Sequence, residues 1–324
     1  MVLALSEKDI GSRVVVRRRV QGGPRPLFTD LLGELAGITA TEVVILTANG
    51  LVRVPLDEIH RAKTVPARRG ATAREIAAVE RAATRAWPPA ELAWLGEWRL
   101  RAAGGYTGRA NSALPIGDPG VGLDVAIARV ASFYAERGLP PRVDVPLPLA
   151  STVQRELIKA GWREECTVLV QTMAVDQLIA ATPDGTRVSL SAQLSPAALA
   201  VVEGRRGPLP EAARHVLTAV PTLAFAEYAE SSALLAMARG SVTSGTLDEN
   251  GEGPLWLGLF AIETLPAARR RGLAGQVVGR LARWGRDNGA RDAFLQVEST
   301  NTVALALYEK LGFTTHHRYV RYTL

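Results

Sequence analysis

Hydrophobic and polar positions follow several distinct rhythms along this chain, and the densest apolar runs lie between Leu255 and Phe313. Leu255 to Ile262 is short and wholly apolar, as a buried strand is. Pro266 cannot continue a central strand and marks its exit. Leu273, Val277, Val278, Leu281 and Trp284 then recur at helical spacing. Gly289 suits the residue just past that helix. Ala293 to Val297 predicts a second strand. Asn301 is a candidate N-cap for a last helix and Gly312 its stop. The stretch predicts strand, Gly/Arg-rich turn, helix, strand, helix.

Residues 1–65 have another rhythm. Arg13–Val20, Leu31–Ala36, Glu42–Thr47 and Leu51–Pro55 predict short strands. Asn49-Gly50 is a two-residue hairpin signal. Leu56–Ile59 predicts a short helical turn. Short strands with tight turns in so few residues predict a small barrel, and the pattern resembles SH3-like barrels. Gln21–Pro26 is a loop open to binding, or plain connection. Lys63 to Thr72, rich in Arg and Gly around Pro66, reads as a linker. Ile76, Val79 and Ala83 share a face of a helix from Thr72 to Ala86, ended by Pro88-Pro89.

Further on, Trp98–Tyr106 and Arg109–Gly117 predict strands, Leu123–Arg137 a helix, Arg142–Leu147 a strand and Ser151–Ala160 a helix. This repeats the C-terminal order. Gly161-Trp162 and Gly312-Phe313 stand 151 residues apart (312 − 161), as do Gly138 and Gly289. The shared offset predicts a second, degenerate copy of one supersecondary unit. Where the C-terminal turn has Arg269-Arg-Arg-Gly, the copy has Asp118-Pro-Gly-Val; Leu157 and Ala150 stand for Tyr308 and Asn301. Cys166–Ala174, Val188–Leu194 and the tail from His316 predict strands. Thr222–Ala229 and Leu234–Val242 predict a hairpin pair, and Gly245–Gly253 a polar loop. Pro196–Glu203 and Leu209–Ala219 predict helices able to shape a pocket.

Composition narrows the class. The 324 residues are 47% hydrophobic and 22% charged, as in a globular protein of two or more units. A single cysteine, Cys166, excludes an internal disulfide framework and a Cys-rich zinc site, and suits a reducing compartment. The four histidines lack metal-ligand spacing, so no metal is expected. The N-terminus is too short in apolar residues for a signal peptide, and no run is long enough to span a membrane. A cytoplasmic protein is expected. The net charge of +6 comes from arginine in an Ala-rich sequence and does not by itself call for nucleic acid.

The turn after Ile262 holds the candidate chemistry. A strand that exits through Arg269-Arg270-Arg271-Gly272-Leu273-Ala274-Gly275 into a helix directs several backbone N–H groups at one spot. Those donors and the helix dipole favour an anion. Gly272 permits close approach, and the arginines add charge-assisted donors. A pyrophosphate fits this description.

Arg269-x-x-Gly272-x-Ala274 after a strand resembles the acyl-CoA signature of the GNAT N-acetyltransferases. Asn301 through Tyr308 to Leu311-Gly-Phe313 resembles that family's second motif. The resemblance implies an α/β (α+β) fold: a mixed GNAT sheet flanked by helices, here in tandem, behind an N-terminal all-β SH3-like barrel. The domains expected are 1–65 barrel, 66–89 linker and helix, 90–175 degenerate half and 176–324 catalytic half. It implies acetyl-CoA as co-substrate, attacked directly by a primary amine with no acyl-enzyme. Ile262, Glu263 and Thr264 would lie along the pantetheine arm, with the Ile262 N–H polarising the thioester oxygen. Arg269 to Gly275 would hold the pyrophosphate. Asn301 would contact the pantetheine or cap the last helix. Tyr308 is the candidate acid for the leaving thiolate.

The base is left open among Glu227, Glu230, Glu298 and His316; alternation turns Glu263 away from Ile262 and Thr264. The acceptor, a small molecule or a protein or peptide amine, is open too, as is the oligomeric state. No membrane partner is expected, and a nucleic-acid partner is disfavoured for want of aromatic stacking residues in the barrel. The alternative class is a catalytically weak acyl-CoA sensor or a partner- or nucleic-acid-binding module.

Overall fold

The computed structural model describes residues 2–3, 5–20, 27–47, 50–65, 70–246 and 253–324. The chain divides into two compact units, Met1–Gly70 and Ala71–Leu324. The first holds β1 (Val2–Leu3), β2 (Arg13–Val20), β3 (Leu27–Ile38), β4 (Glu42–Thr47), β5 (Gly50–Pro55) and β6 (Ile59–Thr64), in the sheet order β1-β6-β2-β3-β4-β5. Alternation builds its core: Val14 and Val16, Val43 and Ile45, with Leu35 and Val54, are fully buried. β4 and β5 pair as far as Thr47 opposite Gly50. Asn49 and the loop 21–26 lie outside the described residues. Lys63 and Thr64, expected in a linker, instead extend β6 against Val15 and Val14. Leu56–Glu58 forms the expected turn as a single 3₁₀ helix.

The second unit opens with α1 (Ala73–Ala86). Thr72 caps it: its Oγ1 accepts from the Glu75 N–H, and the Glu75 carboxylate accepts from the Thr72 N–H. Then come β7 (Glu91–Leu95), β8 (Trp98–Ala102), β9 (Ala113–Leu114), α2 (Leu123–Ala135), β10 (Arg142–Leu147), α3 (Ser151–Lys159) and β11 (Arg163–Ala174). α4 (Val175–Ala181), β12 (Ser189–Ser191), α5 (Pro196–Arg206) and α6 (Glu211–Thr218) follow. The last part is β13 (Leu223–Glu230), β14 (Ala233–Ser244), β15 (Leu255–Thr264), α7 (Leu273–Asp287), β16 (Ala290–Glu298), α8 (Thr302–Leu311) and β17 (Thr314–Thr323). No helix among the described residues is long and apolar enough to cross a membrane.

One eleven-stranded mixed sheet runs through this unit, in the order β12-β13-β14-β15-β16-β11-β17-β10-β9-β8-β7. Its middle is nearly two-fold symmetric. β10 and β16 occupy matching places, and each pairs antiparallel with the last strand of the other half. At the centre β11 and β17 pair antiparallel, with Val168 opposite Tyr319. Those two residues are themselves 151 positions apart. On either side Thr167 stands opposite Val320 and Leu169 opposite Arg318, each facing the other's counterpart at that offset, so the pairing is symmetric about the Val168–Tyr319 rung. The halves therefore exchange their final strands, and neither closes its own sheet.

The expected strand Arg109–Gly117 is mostly loop. Only Ala113–Leu114 is extended, after a 3₁₀ turn at Gly108–Ala110. Asn111 is the reason. Its buried Oδ1 accepts from the Ala103 and Gly105 N–H groups, and its Nδ2 donates to the Tyr106 and Thr107 carbonyls. These bonds fold the backbone into a loop where a ladder would otherwise form.

Candidate active site

β15 and β16 run parallel and pair from Leu255 with Ala290 to Gly258 with Phe294. Beyond that point both strands continue, to Thr264 and Glu298, without pairing with each other. The cleft lies in this opening. Gly258 sits at its apex. A Cβ there would stand 2.6 Å from the Phe260 ring and 2.8 Å from the Phe294 ring. Those two rings meet edge to face at 5.8 Å and hold the strands at the point of divergence.

A bulge shapes the β15 wall. Phe260 pairs with Arg239 and Glu263 with Met237, so Ala261 and Ile262 together oppose Ala238. Ala261 takes φ +46, a left-handed conformation uncommon for alanine. The extra residue turns this edge of the strand toward the opening. Both Ile262 and Glu263 line the cleft, contrary to simple alternation; Thr264 is not part of the lining and pairs with Ala236. Across the opening stand Leu295 to Glu298, then Asn301, Ala304 and Tyr308 of α8.

Asn301 caps α8, its Oδ1 accepting from the Ala304 N–H at 3.1 Å. Tyr308 is buried, its ring 6.0 Å from that of Phe313. Burial pushes the hydroxyl up to about 12, while Arg109 and Arg205 pull it back down.

The Arg269–Gly275 turn adjoins β15 but does not line this cleft. Arg270 and Gly272 both have positive φ, +66 and +75, and Gly272 is the N-cap of α7. Space is open where a Gly272 Cβ would stand. Arg269 and Arg270 are exposed. Arg271 is also exposed but donates to Glu230 at 2.6 Å. Leu273 is buried in the core, which leaves only its backbone N–H for a ligand; Ala274 and Gly275 are half-buried on the first turn. The residues present thus offer backbone donors, open space and cations at one helix start, as a pyrophosphate needs.

Sequence reasoning missed the far wall. Trp87, Tyr106, Gly108 and Arg109 reach the cleft from the first half, and Tyr319 and Arg321 from β17. Val202 and Arg205 of α5 complete it, and Arg205 pairs with Glu263. α5 was expected to shape a pocket, as was α6, which contributes no lining residue. Arg321 grips Asp144 through two bonds of 2.7 and 3.0 Å, and Arg101 joins at 3.1 Å. Burial works against the Asp144 charge, but these guanidiniums outweigh it and hold the carboxyl below its ordinary value. Trp87 and Phe260 stack at 4.9 Å, with the Arg109 and Arg239 guanidiniums both within 6 Å of each ring.

Of the candidate bases, only Glu298 lines the cleft. Glu230 is held by Arg271 and by the Tyr228 hydroxyl, which lower its pKa. His316 contacts His317, which in turn bonds the buried Glu80 at 2.9 Å. Glu227 on β13 is not part of the lining. Among the described residues no group of three or more His, Cys, Asp or Glu could hold a metal.

A mixed sheet that splays between two parallel strands, with a Gly/Arg turn opening the helix between them, defines the GNAT class of N-acetyltransferase. Residues 72–323 match the family described as "Probable histone acetyltransferase Rv0428c C-terminal", and the chain belongs to that GNAT family. Residues 8–63 match "Rv0428c N-terminal Sm-like domain". The small β unit is thus Sm-like by family, where an SH3-like barrel was expected. The "Probable histone acetyltransferase Rv0428c" of Mycobacterium tuberculosis is 33% identical over 97% of this chain and 95% of its own. The "Uncharacterized N-acetyltransferase YobR" of Bacillus subtilis is 26% identical over 76% of this chain and 98% of its own. A solved GCN5-related N-acetyltransferase from Kribbella flavida shares the fold, with a TM-score of 0.56 at 14% identity, covering 79% of this chain and 96% of that one.

Proposed function

We propose that the protein transfers an acetyl group from acetyl-CoA to a primary amine in the cleft between β15 and β16. The observation that carries this is the opening beyond Gly258, with the bulged edge of β15 on one side and Tyr308 on the other. The pantetheine arm would lie along Ile262 and Glu263, and the pyrophosphate against the Arg269–Gly275 turn. The amine nitrogen attacks the thioester carbonyl, with the Ile262 N–H facing the developing oxyanion. The carbon–sulfur bond breaks and the acetyl group stays on nitrogen. The amine gives up one proton, directly or through water, toward Glu298. The thiolate takes one from the Tyr308 hydroxyl, which is then reprotonated.

A phenol raised to about 12 is a weak acid toward a thiolate of ordinary pKa ~8.5. Its contribution is therefore mainly a hydrogen bond that strengthens as charge gathers on sulfur. The segment 90–175 acts as a degenerate partner half. It supplies β11 and, through Tyr106, Gly108 and Arg109, part of the far wall. Calorimetry with acetyl-CoA, followed by thiol release with a panel of amines, tests the reading. Binding and amine-dependent release are expected. Failure to bind acetyl-CoA would overturn it.

A further inference from the structure

A concentration of positive charge lies away from the cleft, where α1 meets β8. Leu100 and Ala102 share a core with Ile127 and Val130 of α2, so alternation turns Arg99 and Arg101 to the opposite face of β8. α1 lies on that face: the Arg101 Nη1 reaches the Thr84 hydroxyl at 3.4 Å. Arg81 and Arg85 flank Thr84 on α1, one turn before it and one residue after. Arg99 is two residues from Arg101 along β8, and Arg81, Arg101 and Arg85 all act on it electrostatically. None of these side chains lines the cleft.

Arg101 is spent, since its Nη2 bonds Asp144. Arg99 is not. It is only 8% exposed, and among the described residues no hydrogen bond or ion pair reaches its guanidinium, which lies 4.8 Å from the Trp94 ring centroid. The Arg81 Nε is buried with no hydrogen-bond partner. Arg85 is exposed and gives one bond, from Nη1 to the Ser244 carbonyl at 2.9 Å. Against these three cations stands the Glu97 carboxylate, which acts on Arg81 and Arg99. Its Oε2 accepts from the Asp118 N–H at 2.7 Å, and among the described residues it forms no ion pair with the three arginines.

Buried guanidiniums are ordinarily paired. Here burial, joined by the neighbouring guanidiniums, pushes Arg99 down to about 10, and burial lowers Arg81 as well. Arg81, Arg85 and Arg99 against Glu97 leave a surplus of two positive charges (3 − 1). A phosphate monoester carries about −1.5 to −2 at neutral pH and three strong acceptor oxygens. That charge and that number of oxygens suit three guanidiniums arriving from two elements. A carboxylate brings a single charge and two oxygens. Trp94 stands beside them on the edge strand β7, 55% exposed, and offers a flat surface to whatever carries the phosphate.

We propose that Arg81, Arg85 and Arg99 form a binding site for a phosphate dianion, free or carried by a small molecule that lies against Trp94. The site is separate from the acetyl-CoA cleft and independent of the acetyltransferase reading.

Calorimetry on the full chain tests this with inorganic phosphate, ribose 5-phosphate and AMP, set against acetate and chloride at equal ionic strength. At least one phosphate compound is expected to bind, and acetate and chloride are not. AMP ahead of ribose 5-phosphate would mark a base stacked on Trp94, a lead that Trp94→Ala should erase; inorganic phosphate level with both esters would mark free phosphate as the ligand. Arg99→Gln and Arg85→Gln should each weaken binding by about tenfold or more, the worth of a hydrogen bond between charged groups. Gly272→Glu should leave it unchanged, which separates this site from the Arg269–Gly275 turn. Melting curves give a second readout. The rise in melting temperature that phosphate produces over chloride should be larger in the natural chain than in either arginine variant. If Arg99→Gln does not fold, Arg85→Gln carries the test, because Arg85 is exposed. Failure of all three phosphate compounds to bind overturns the proposal. So does binding that survives Arg85→Gln and every folded Arg99 variant, binding lost in Gly272→Glu, or acetate bound as tightly as phosphate.

Discussion

Tyr308 and Gly272 divide the candidate chemistry between a side chain and a bare backbone. Tyr308→Phe removes a hydroxyl and leaves a ring that still packs on Phe313. Turnover should fall by about ten- to a hundredfold, toward the low end for a positioned proton donor, with acetyl-CoA affinity nearly unchanged. A change within about twofold, worth only ~0.4 kcal/mol of barrier, would remove Tyr308 from the mechanism. The pH profile offers a second check. Because burial raises the hydroxyl to about 12, it stays protonated through the neutral and mildly basic range. No loss of kcat assignable to Tyr308 should appear as pH rises to about 10, the ordinary phenol value. A basic limb near pH 9 that vanishes in Tyr308→Phe would contradict this. Gly272→Glu acts on the other group. It puts a carboxylate beside the proposed phosphate position and forces a side chain onto a φ of +75. Calorimetry should show acetyl-CoA binding lost, and a melting curve on the same sample separates that loss from unfolding.

Elements decide how wide the cleft opens. Gly258 lets the Phe260 and Phe294 rings close over the last paired rung of β15 and β16. Gly258→Ala would drive a methyl into both rings. A destabilisation of about 1–3 kcal/mol is expected, as for other overpacked cores, with weaker acetyl-CoA binding. Denaturant titration and calorimetry would measure the two effects; a neutral result on both would mean the rings do not set the divergence. The C-terminal elements were legible in the sequence because their signals are local. Strand, Gly/Arg turn, helix, strand and Asn-capped helix each show in a window of a dozen residues. The bulge at Ala261 left no such trace, since nothing in Phe-Ala-Ile announces a left-handed alanine. The Asn111 loop hid in the same way. Its side chain bonds four backbone groups spread from Ala103 to Thr107, a tertiary arrangement that an apolar run does not reveal. Arg109 was lost with it.

At the scale of the whole unit, the exchange of β11 and β17 explains why the far wall escaped sequence reading while the repeat did not. A shared offset of 151 is visible in the chain, but the pairing of Val168 with Tyr319 follows only when the halves meet. That exchange carries Tyr319 and Arg321 across to the first half and sets them beside Trp87 and Arg109. Every lining residue falls between Trp87 and Arg321. A protein beginning at Ala71 should therefore fold and bind acetyl-CoA like the full chain. If it folds but does not bind, the Sm-like unit completes the site.

Near symmetry raises the question of a second acetyl-CoA. At the shared offset of 151 (269 − 118), Asp118 stands where Arg269 does, and Pro119 brings no N–H. The Asp118 carboxylate accepts from Gly120 N–H, and Glu97 accepts from the Asp118 N–H, so two carboxylates occupy the turn. A phosphate would be repelled there. The strands differ more deeply. β15 runs on six residues past its last pairing with β16, from Leu259 to Thr264. β9 ends at Leu114, one residue past its pairing with β10 at Ala113 and Val143. Without that extension two parallel strands cannot part around a pantetheine arm. One acetyl-CoA per chain is therefore expected. Titration calorimetry on the full chain should give a stoichiometry near one, abolished by Gly272→Glu. Two sites, or one site that survives that substitution, would place the cofactor in the first half and refute the assignment.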